Sequence, residues 1–497
     1  MSIDAPTSSP ARLKSGVIGR YAIGSLGTGG FATLPGLVLT YYLTDSLGVA
    51  ALAAGAVITV AKVWDVVIDP VIGALTDRDL ARHGSRRRLM LVGALSLPVL
   101  FALTFAVPPA LGPVVGALWV LLAFTLTATA FSLFQVPYIA LPAELTPSYD
   151  ERTRLLTWRV VVLTLAILLF GAGGPALRRT TDDPVLGYLV MGVVAGVVIA
   201  IGMLIATTVA KRGRAGDAAR SGRDGLAFDP STSSGTGSEG PGIRGEDEAE
   251  VRDGLEALAE PAPRGGIREH FSAGIRALRR SAPFRALLGT FVLQALATGL
   301  MLAGAQYVAT WVLHSEAAVE LLFVALIAPA LFAAPAWGVI ARRLGKERAF
   351  AIASSVFAIA AVSIVGVLWA PGEWIYVPVG LAGIAYAGMQ SLPMAMLPDV
   401  ISHDERTNGP GQAGSFSGVW TAGETVGFAL GATALALILA VTGYVSSTAG
   451  QLVEQPDAAI AGIVVSFSVA PAALIVLSLV TLARYRLRRA DIDAATG

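Results

Sequence analysis

The sequence predicts an all-α membrane protein of twelve transmembrane helices, built as two six-helix bundles. Three observations predict it. Of 497 residues, 54% are hydrophobic and only 14% charged, with a mean hydropathy of +0.68; a soluble domain carries about 25% charged residues. Apolar runs of about 20 residues, the length that crosses a hydrocarbon core, recur along the chain. About a third of all charged residues fall between Lys211 and Arg285, so one polar segment separates two membrane-like halves.

The runs place helices near 17–43, 48–75, 88–107, 114–140, 157–177 and 185–210, then near 284–312, 318–341, 348–369, 374–398, 414–442 and 459–483. This gives an N-terminal bundle over 1–210, a linker over 211–283, a C-terminal bundle over 284–485 and a tail over 486–497. The linker is rich in Gly, Ser, Pro and acidic residues, buries too little apolar surface to offset its ordering entropy, and reads as disordered. Near its end Ile267, Phe271, Ile275 and Leu278 recur at helical spacing between Arg268, Arg276, Arg279 and Arg280. That pattern fits a short amphipathic helix on the membrane surface, or else a solvated junction.

Lys and Arg in short loops mark the cytoplasmic side. Lys14, Arg78, Arg82, Arg86, Arg87, Arg88, Arg152, Arg154, Arg342, Arg343, Lys346 and Arg484 share one side; Asp45, Glu316, Glu320, Glu373 and Glu454 occupy the other, with Arg178 and Arg179 as exceptions. Both termini and the linker are expected in the cytoplasm, in a multi-pass protein of the cell membrane. The opening apolar run is too long for a signal-peptide core. A balance of 36 basic against 35 acidic residues argues against a nucleic-acid binder, and zero cysteines exclude disulfides and thiolate chemistry.

The halves repeat. Pro137 to Glu144 followed by Asp150-Glu-Arg-Thr153 is echoed by Pro393 to Asp399 followed by Asp404-Glu-Arg-Thr407. An even helix number per half gives both the same topology, a parallel repeat around a central cavity and hence a transporter architecture. Ionisable residues inside a span are costly unless they face a cavity or a partner. The clearest cluster is Lys62, Asp65 and Asp69 in the run ending at Pro70. Asp65 and Asp69 are four apart on one helical face, and two acids in low dielectric share a proton or trap a cation. The plainer alternative has Lys62 neutralise Asp65 while Asp69 caps a helix at Pro70.

Through Lys62-Val-Trp-Asp65-Val-Val-Ile-Asp69-Pro70, Asp150-Glu-Arg-Thr153 with Arg159, Leu397-Pro-Asp399, and Tyr21 to Asp45, the chain resembles the glycoside–pentoside–hexuronide:cation symporters. These are the melibiose-permease branch of the major facilitator superfamily, and the resemblance covers nearly everything but the linker. It implies that Asp65 and Asp69 bind Na⁺ or H⁺ (acting as Na⁺ ligands if sodium couples), joined by the Ser132 hydroxyl and with Lys62 one turn before. It also implies an inner salt-bridge gate at Asp77, Arg78 and Arg86, which we extend to Arg152 and Asp399, and a functional arginine at Arg159.

Departures from the family are informative. Gly29 stands where galactoside-using members hold a sugar-gripping acid, Gln135 where they hold a second, and Ile68 where an amide side chain lies between the cation-site acids. Glu424 inverts the charge of an expected lysine; it is a second protonation site, a contact for a cationic group, or the partner of a base such as Arg159. Tyr21, Gln135, Arg159, Gln390, Trp420 and Glu424 are the candidate substrate residues, with Gln294 and Gln306 as further polar cavity candidates. The glycines of Gly24–Gly30 read as helix-packing positions, and His403 is placed in a loop. The expectation is a monomeric, non-enzymatic symporter that moves a sugar- or glycoside-like solute across the lipid bilayer with Na⁺ or H⁺ and uses no other cofactor. The alternatives are a proton-coupled exporter of an amphipathic or cationic compound, and a lysophospholipid transporter.

Overall fold

The computed structural model describes residues 12–146, 149–210, 278–408, 413–449, 451 and 453–487. The linker, most of its amphipathic stretch and the Asp77 side chain lie outside the described residues. Twelve described helical spans are long and apolar enough to cross a membrane. The first six are α1 (Ser15–Ser46), α2 (Ala51–Leu80), α3 (Arg87–Thr104), α4 (Gly112–Pro142), α5 (Arg154–Arg178) and α6 (Pro184–Thr207). The second six are α7 (Ala282–Val312), α8 (Ala318–Leu344), α9 (Lys346–Leu368), α10 (Glu373–Asp404), α11 (Phe416–Val441) and α12 (Asp457–Leu482).

The apolar runs fall on these spans, but the helices overrun them at the end that carries the termini. Helix continues to His83 after α2 and to Leu145 after α4, begins at Tyr149 before α5, and continues to Asn408 after α10. Arg78, Arg82, Glu151, His403 and Asp404 therefore sit on helical turns, which corrects the placement of His403 in a loop. Hydropathy marks only the hydrocarbon crossing, whereas strong helix formers such as Leu, Arg and Glu extend the backbone ladder into water. The repeat extends to proline placement: α4 carries Pro137 and Pro142, and the matching α10 carries Pro393 and Pro398. Such prolines are tolerated in membrane helices because neighbouring helices satisfy the freed backbone groups.

Each bundle packs around a spine of buried aromatic and small residues, α1 against α5 and α6, and α7 against α11 and α12. The bundles meet along α2 with α11, α5 with α8, and α1 with α7. The first two pairings are equivalent under the repeat.

At the end away from the termini the bundles are locked together. Arg178 Nη2 donates to Glu316 Oε2 at 2.7 Å, and Arg179 pairs with Glu320. These are the two arginines that broke the charge pattern of their loops, and each has an acid on the opposite bundle. Arg178 is 6% exposed, donates to the Tyr188 hydroxyl at 2.7 Å and lies over the Tyr41 and Tyr188 rings. Beside it, Tyr444 Oη donates to Asp45 Oδ1 at 2.5 Å, and the Thr44 and Tyr307 hydroxyls are 2.6 Å apart. Burial, and then the Asp45 charge, push the Tyr444 phenol well above its ordinary value, so it stays protonated as a donor. Backbone bonds from Ser447 N to Thr44 O and from Ala449 N to Ser46 O complete the seal.

Leu47 and Thr448 pair across this seam as an isolated antiparallel bridge. Bridge partners lie about 4.5–5.5 Å apart at Cα, within disulfide reach. With no native cysteine to interfere, a Leu47→Cys/Thr448→Cys double variant should oxidise to a disulfide. After proteolysis in the linker the two halves should then stay joined on a non-reducing gel; halves that separate would contradict the closed seam.

Candidate functional site

α2 runs without a break through Lys62, Asp65, Asp69 and Pro70. Asp69 is therefore an interior helix residue, and the helix-capping alternative does not match its position. Asp65 is 8% exposed. Lys62 Nζ donates to Asp65 Oδ2 at 3.1 Å and sits 5.5 Å and 5.8 Å from the ring centroids of Phe31 and Phe124. The ammonium is held by one carboxylate and two aromatic faces, and it neutralises one side of the acid pair.

Asp69 follows one turn later, on the same face. The buried Ser132 side chain of α4 lies beside it, and the charges of Asp65 and Lys62 act on it. The Oδ1 atoms of both Asp65 and Asp69 are buried without a hydrogen-bond partner. A buried carboxylate oxygen left without a partner is costly. Two such oxygens beside a hydroxyl fit a shared proton or a small monovalent cation. Among the described residues no group of three or more His, Asp or Glu side chains forms a metal site, so the oxygen set is small.

A second cluster lies in the N-terminal bundle around Tyr138. The Tyr21 ring stacks on Tyr138 at 4.7 Å, and Tyr138 Oη donates to the Tyr21 carbonyl at 2.8 Å. The Ser25 hydroxyl is 3.1 Å from the Tyr138 hydroxyl, and the Arg159 guanidinium lies 5.5 Å from the Tyr138 ring centroid. Thr28 donates to Gln135 Oε1 at 2.8 Å. Tyr21 and Arg159 are thus brought together by a tyrosine that the sequence reading did not single out. Gln135 is anchored to α1 close by.

In the C-terminal bundle Gln390 Nε2 donates to the Tyr386 hydroxyl at 2.5 Å, and the Trp420 ring stacks on Phe291 at 4.2 Å. Gln294 donates to Ser354 and Ser478, and Gln306 to Thr310, so both bind protein hydroxyls. Glu424 lies one turn beyond Trp420 on α11 and makes no ion pair with Arg159 among the described contacts.

The expected gate residues tie neighbouring helices within a bundle. Arg86 Nε donates to Glu144 Oε1 at 2.5 Å, from the start of α3 to the turn after α4. Lys346 Nζ donates to Asp399 Oδ2 at 2.6 Å, from the start of α9 to α10, the equivalent place in the other bundle. Arg152 Nη2 donates to the Thr146 carbonyl at 3.2 Å, and Arg78 is exposed. The lock between bundles, built on Asp45, Tyr444, Arg178 and Glu316, was missed in the sequence. Its one legible sign was the pair Arg178-Arg179 among acidic loops.

Gly29 faces α5. A Cβ there would lie 2.6 Å from Ala166 Cβ and 3.1 Å from the Leu163 carbonyl oxygen. Gly24, Gly27 and Gly30 likewise press on Ala206, Met203 and Phe170, so these glycines are helix-packing positions as expected.

Comparison with known proteins agrees with this architecture. A family profile described as MFS/sugar transport protein matches residues 20–229 and 261–489. An uncharacterised symporter of Synechocystis is 28% identical over 91% of this chain and 90% of its own length. A putative glycoside/cation symporter of Escherichia coli is 33% identical over 28% of this chain and 30% of its own. A solved bacterial homologue of the human lysosomal transporter Spinster, inward-facing and unoccupied, superposes with a TM-score of 0.61 at 12% identity over 95% of each chain; it shares the fold.

Introducing an acid by Gly29→Asp should overpack the α1–α5 contact and cost about 1–3 kcal/mol. A lowered thermal midpoint of the purified protein, with no gain of sugar affinity, is the expected result. A variant as stable as the parent would contradict the packing role.

Proposed function

Because the chain belongs to the family of MFS/sugar transport proteins, we propose that it is a cation-coupled symporter of a sugar- or glycoside-like solute, working by alternating access of its two bundles. It is a transporter and not an enzyme. The observation that carries the coupling is the acid pair of α2, where Asp65 and Asp69 each keep one buried oxygen without a partner beside Ser132.

In this reading Asp65 and Asp69 hold Na⁺ or H⁺, and Ser132 supplies a further oxygen. A bound cation supplies the countercharge that Lys62 gives to only one carboxylate oxygen. Lys62 orients Asp65 and keeps the pair from carrying two uncompensated charges in the membrane. The solute occupies the cavity between bundles, facing Tyr21, Gln135 and Arg159 on one side and Gln390, Trp420 and Glu424 on the other. Arg159 and Gln135 present hydrogen-bond donors to hydroxyl or acidic groups of the solute.

With the basic loops and both termini in the cytoplasm of a cell-membrane protein, the seam sealed by Arg178–Glu316 and Tyr444–Asp45 is the outer gate. The structure is then closed to the outside. Its inner ion pairs, Arg86–Glu144 and Lys346–Asp399, stiffen each bundle as it rocks.

Asp69→Asn keeps the size of the side chain and removes its charge. In proteoliposomes it should abolish uptake driven by a Na⁺ or H⁺ gradient, while the purified variant unfolds within a few degrees of the parent. Accumulation that survives the change would remove the coupling role from this site.

A further inference from the structure

Trp420, Glu424 and Phe428 recur every four residues and so share one face of α11. That face meets a small cavity inside the C-terminal bundle. Phe291, against which Trp420 stacks, and Phe428 line it together with Gln294, Thr298, Tyr386 and Gln390. Its volume is about 10 Å³, room for one water-sized group. Glu424 stands one turn from both Trp420 and Phe428 on that face, which puts it beside this wall.

The wall keeps one buried acceptor unused. The Gln294 amide nitrogen is taken up by Ser354 and Ser478, at 2.9 Å and 3.1 Å, while its Oε1 is left with no partner although the residue is 3% exposed. The Thr298 hydroxyl donates to the carbonyls of Gln294 and Ala295, and the Gln390 amide donates to Tyr386. Trp420 Nε1 is buried without a partner among the described residues, and the Tyr386 hydroxyl, which accepts from Gln390, keeps its own proton to donate. Glu424 itself has neither an ion pair nor a hydrogen bond among the described residues. A carboxylate within a membrane span needs a counter-charge or a proton, and here no described residue supplies a cation.

We propose that Glu424, the unpartnered Gln294 oxygen and the aromatic faces of Trp420, Phe291 and Phe428 form a subsite for a positively charged nitrogen, and that the solute is an amino sugar or a similarly aminated glycoside. An ammonium group is the size of the cavity, donates three hydrogen bonds and accepts none. It would be met by the Glu424 carboxylate and the Gln294 oxygen, and aromatic faces attract it further. The identity of the rest of the solute rests on the sugar-symport reading; the ammonium subsite does not.

The test is thermal unfolding of the detergent-purified full chain with Na⁺ present, titrated with D-glucosamine, N-acetyl-D-glucosamine and ethanolamine. Acetylation keeps the ring and removes the charge; ethanolamine keeps the ammonium and removes the ring. A charge-assisted hydrogen bond is about twice as strong as a neutral one. Glucosamine should therefore protect at about tenfold lower concentration than its acetylated counterpart, and Glu424→Gln should bring that ratio close to one. Glu424→Asp, which keeps the charge, should preserve part of the ratio. Equal potency of the two sugars in the parent protein, a comparison that needs no variant, overturns the subsite, as does a ratio unchanged in Glu424→Gln. Neutral glycosides that protect where no amine does overturn the subsite and leave the sugar reading standing. Ethanolamine protection that depends on Glu424, with no response to any sugar, supports the subsite and overturns the sugar reading. Protection by none of the compounds counts against both.

Discussion

A carboxylate placed in hydrocarbon must find a cation, a proton or water, and the cost of leaving it without any of these is several kcal/mol. The arrangement of this molecule follows from how its few intramembrane acids meet that demand. Asp65 is held by Lys62, whose ammonium is in turn held against Phe31 and Phe124. Asp45 takes hydrogen bonds from Tyr444 and Thr44, with the Arg178 charge close by. Asp69 is only half-answered, by the Ser132 hydroxyl. Glu424 is answered by nothing described. The satisfied acids hold the structure together, and the unsatisfied ones are the positions proposed to meet a transported ion or solute.

The two kinds of acid sit at different depths for a mechanical reason. The Asp45 network joins α1 to the segment after α11 and seals one end of the bundle interface. The Asp65–Asp69 pair lies farther along α2, the helix that packs against α11 across the same interface. Any change in charge at the acid pair therefore acts on an element of the seam. The pairs Arg86–Glu144 and Lys346–Asp399, related by the repeat, tie helix ends within each bundle. Rigid bundles with a breakable seam are what rocking requires.

Much of this was legible in the sequence because the bilayer imposes a length and a polarity on every span. The twelve spans, the repeat and the Lys62–Asp65–Asp69 cluster could all be read from one string. Hydropathy says nothing of where a helix stops once it reaches water, so His403 and Asp404 were placed off the helix that carries them. Nor does it tell which way a small residue faces. Gly29 lies where the resemblance to galactoside-using symporters implies a sugar-gripping acid, yet it is pressed against Ala166. The lock between the bundles was hidden because its partners are far apart in sequence: Asp45 with Tyr444, and Arg178 with Glu316. Such pairings are set by tertiary packing, and only the misplaced arginines Arg178 and Arg179 hinted at them.

The central claim is that cation and solute bind with mutual dependence. Linkage requires that each ligand raise the affinity for the other by the same factor, and a ligand that binds only the folded state raises its stability. The most direct measurement is the thermal midpoint of the purified protein against a panel of glycosides, amino sugars, uronates and lysophospholipids, with and without Na⁺, at two pH values. The account predicts a sugar-class ligand whose stabilisation grows when the coupling cation is supplied, as Na⁺ or as protons at the lower pH. Midpoint shifts for cation and sugar that are merely additive, or stabilisation by lysophospholipids alone, would contradict it.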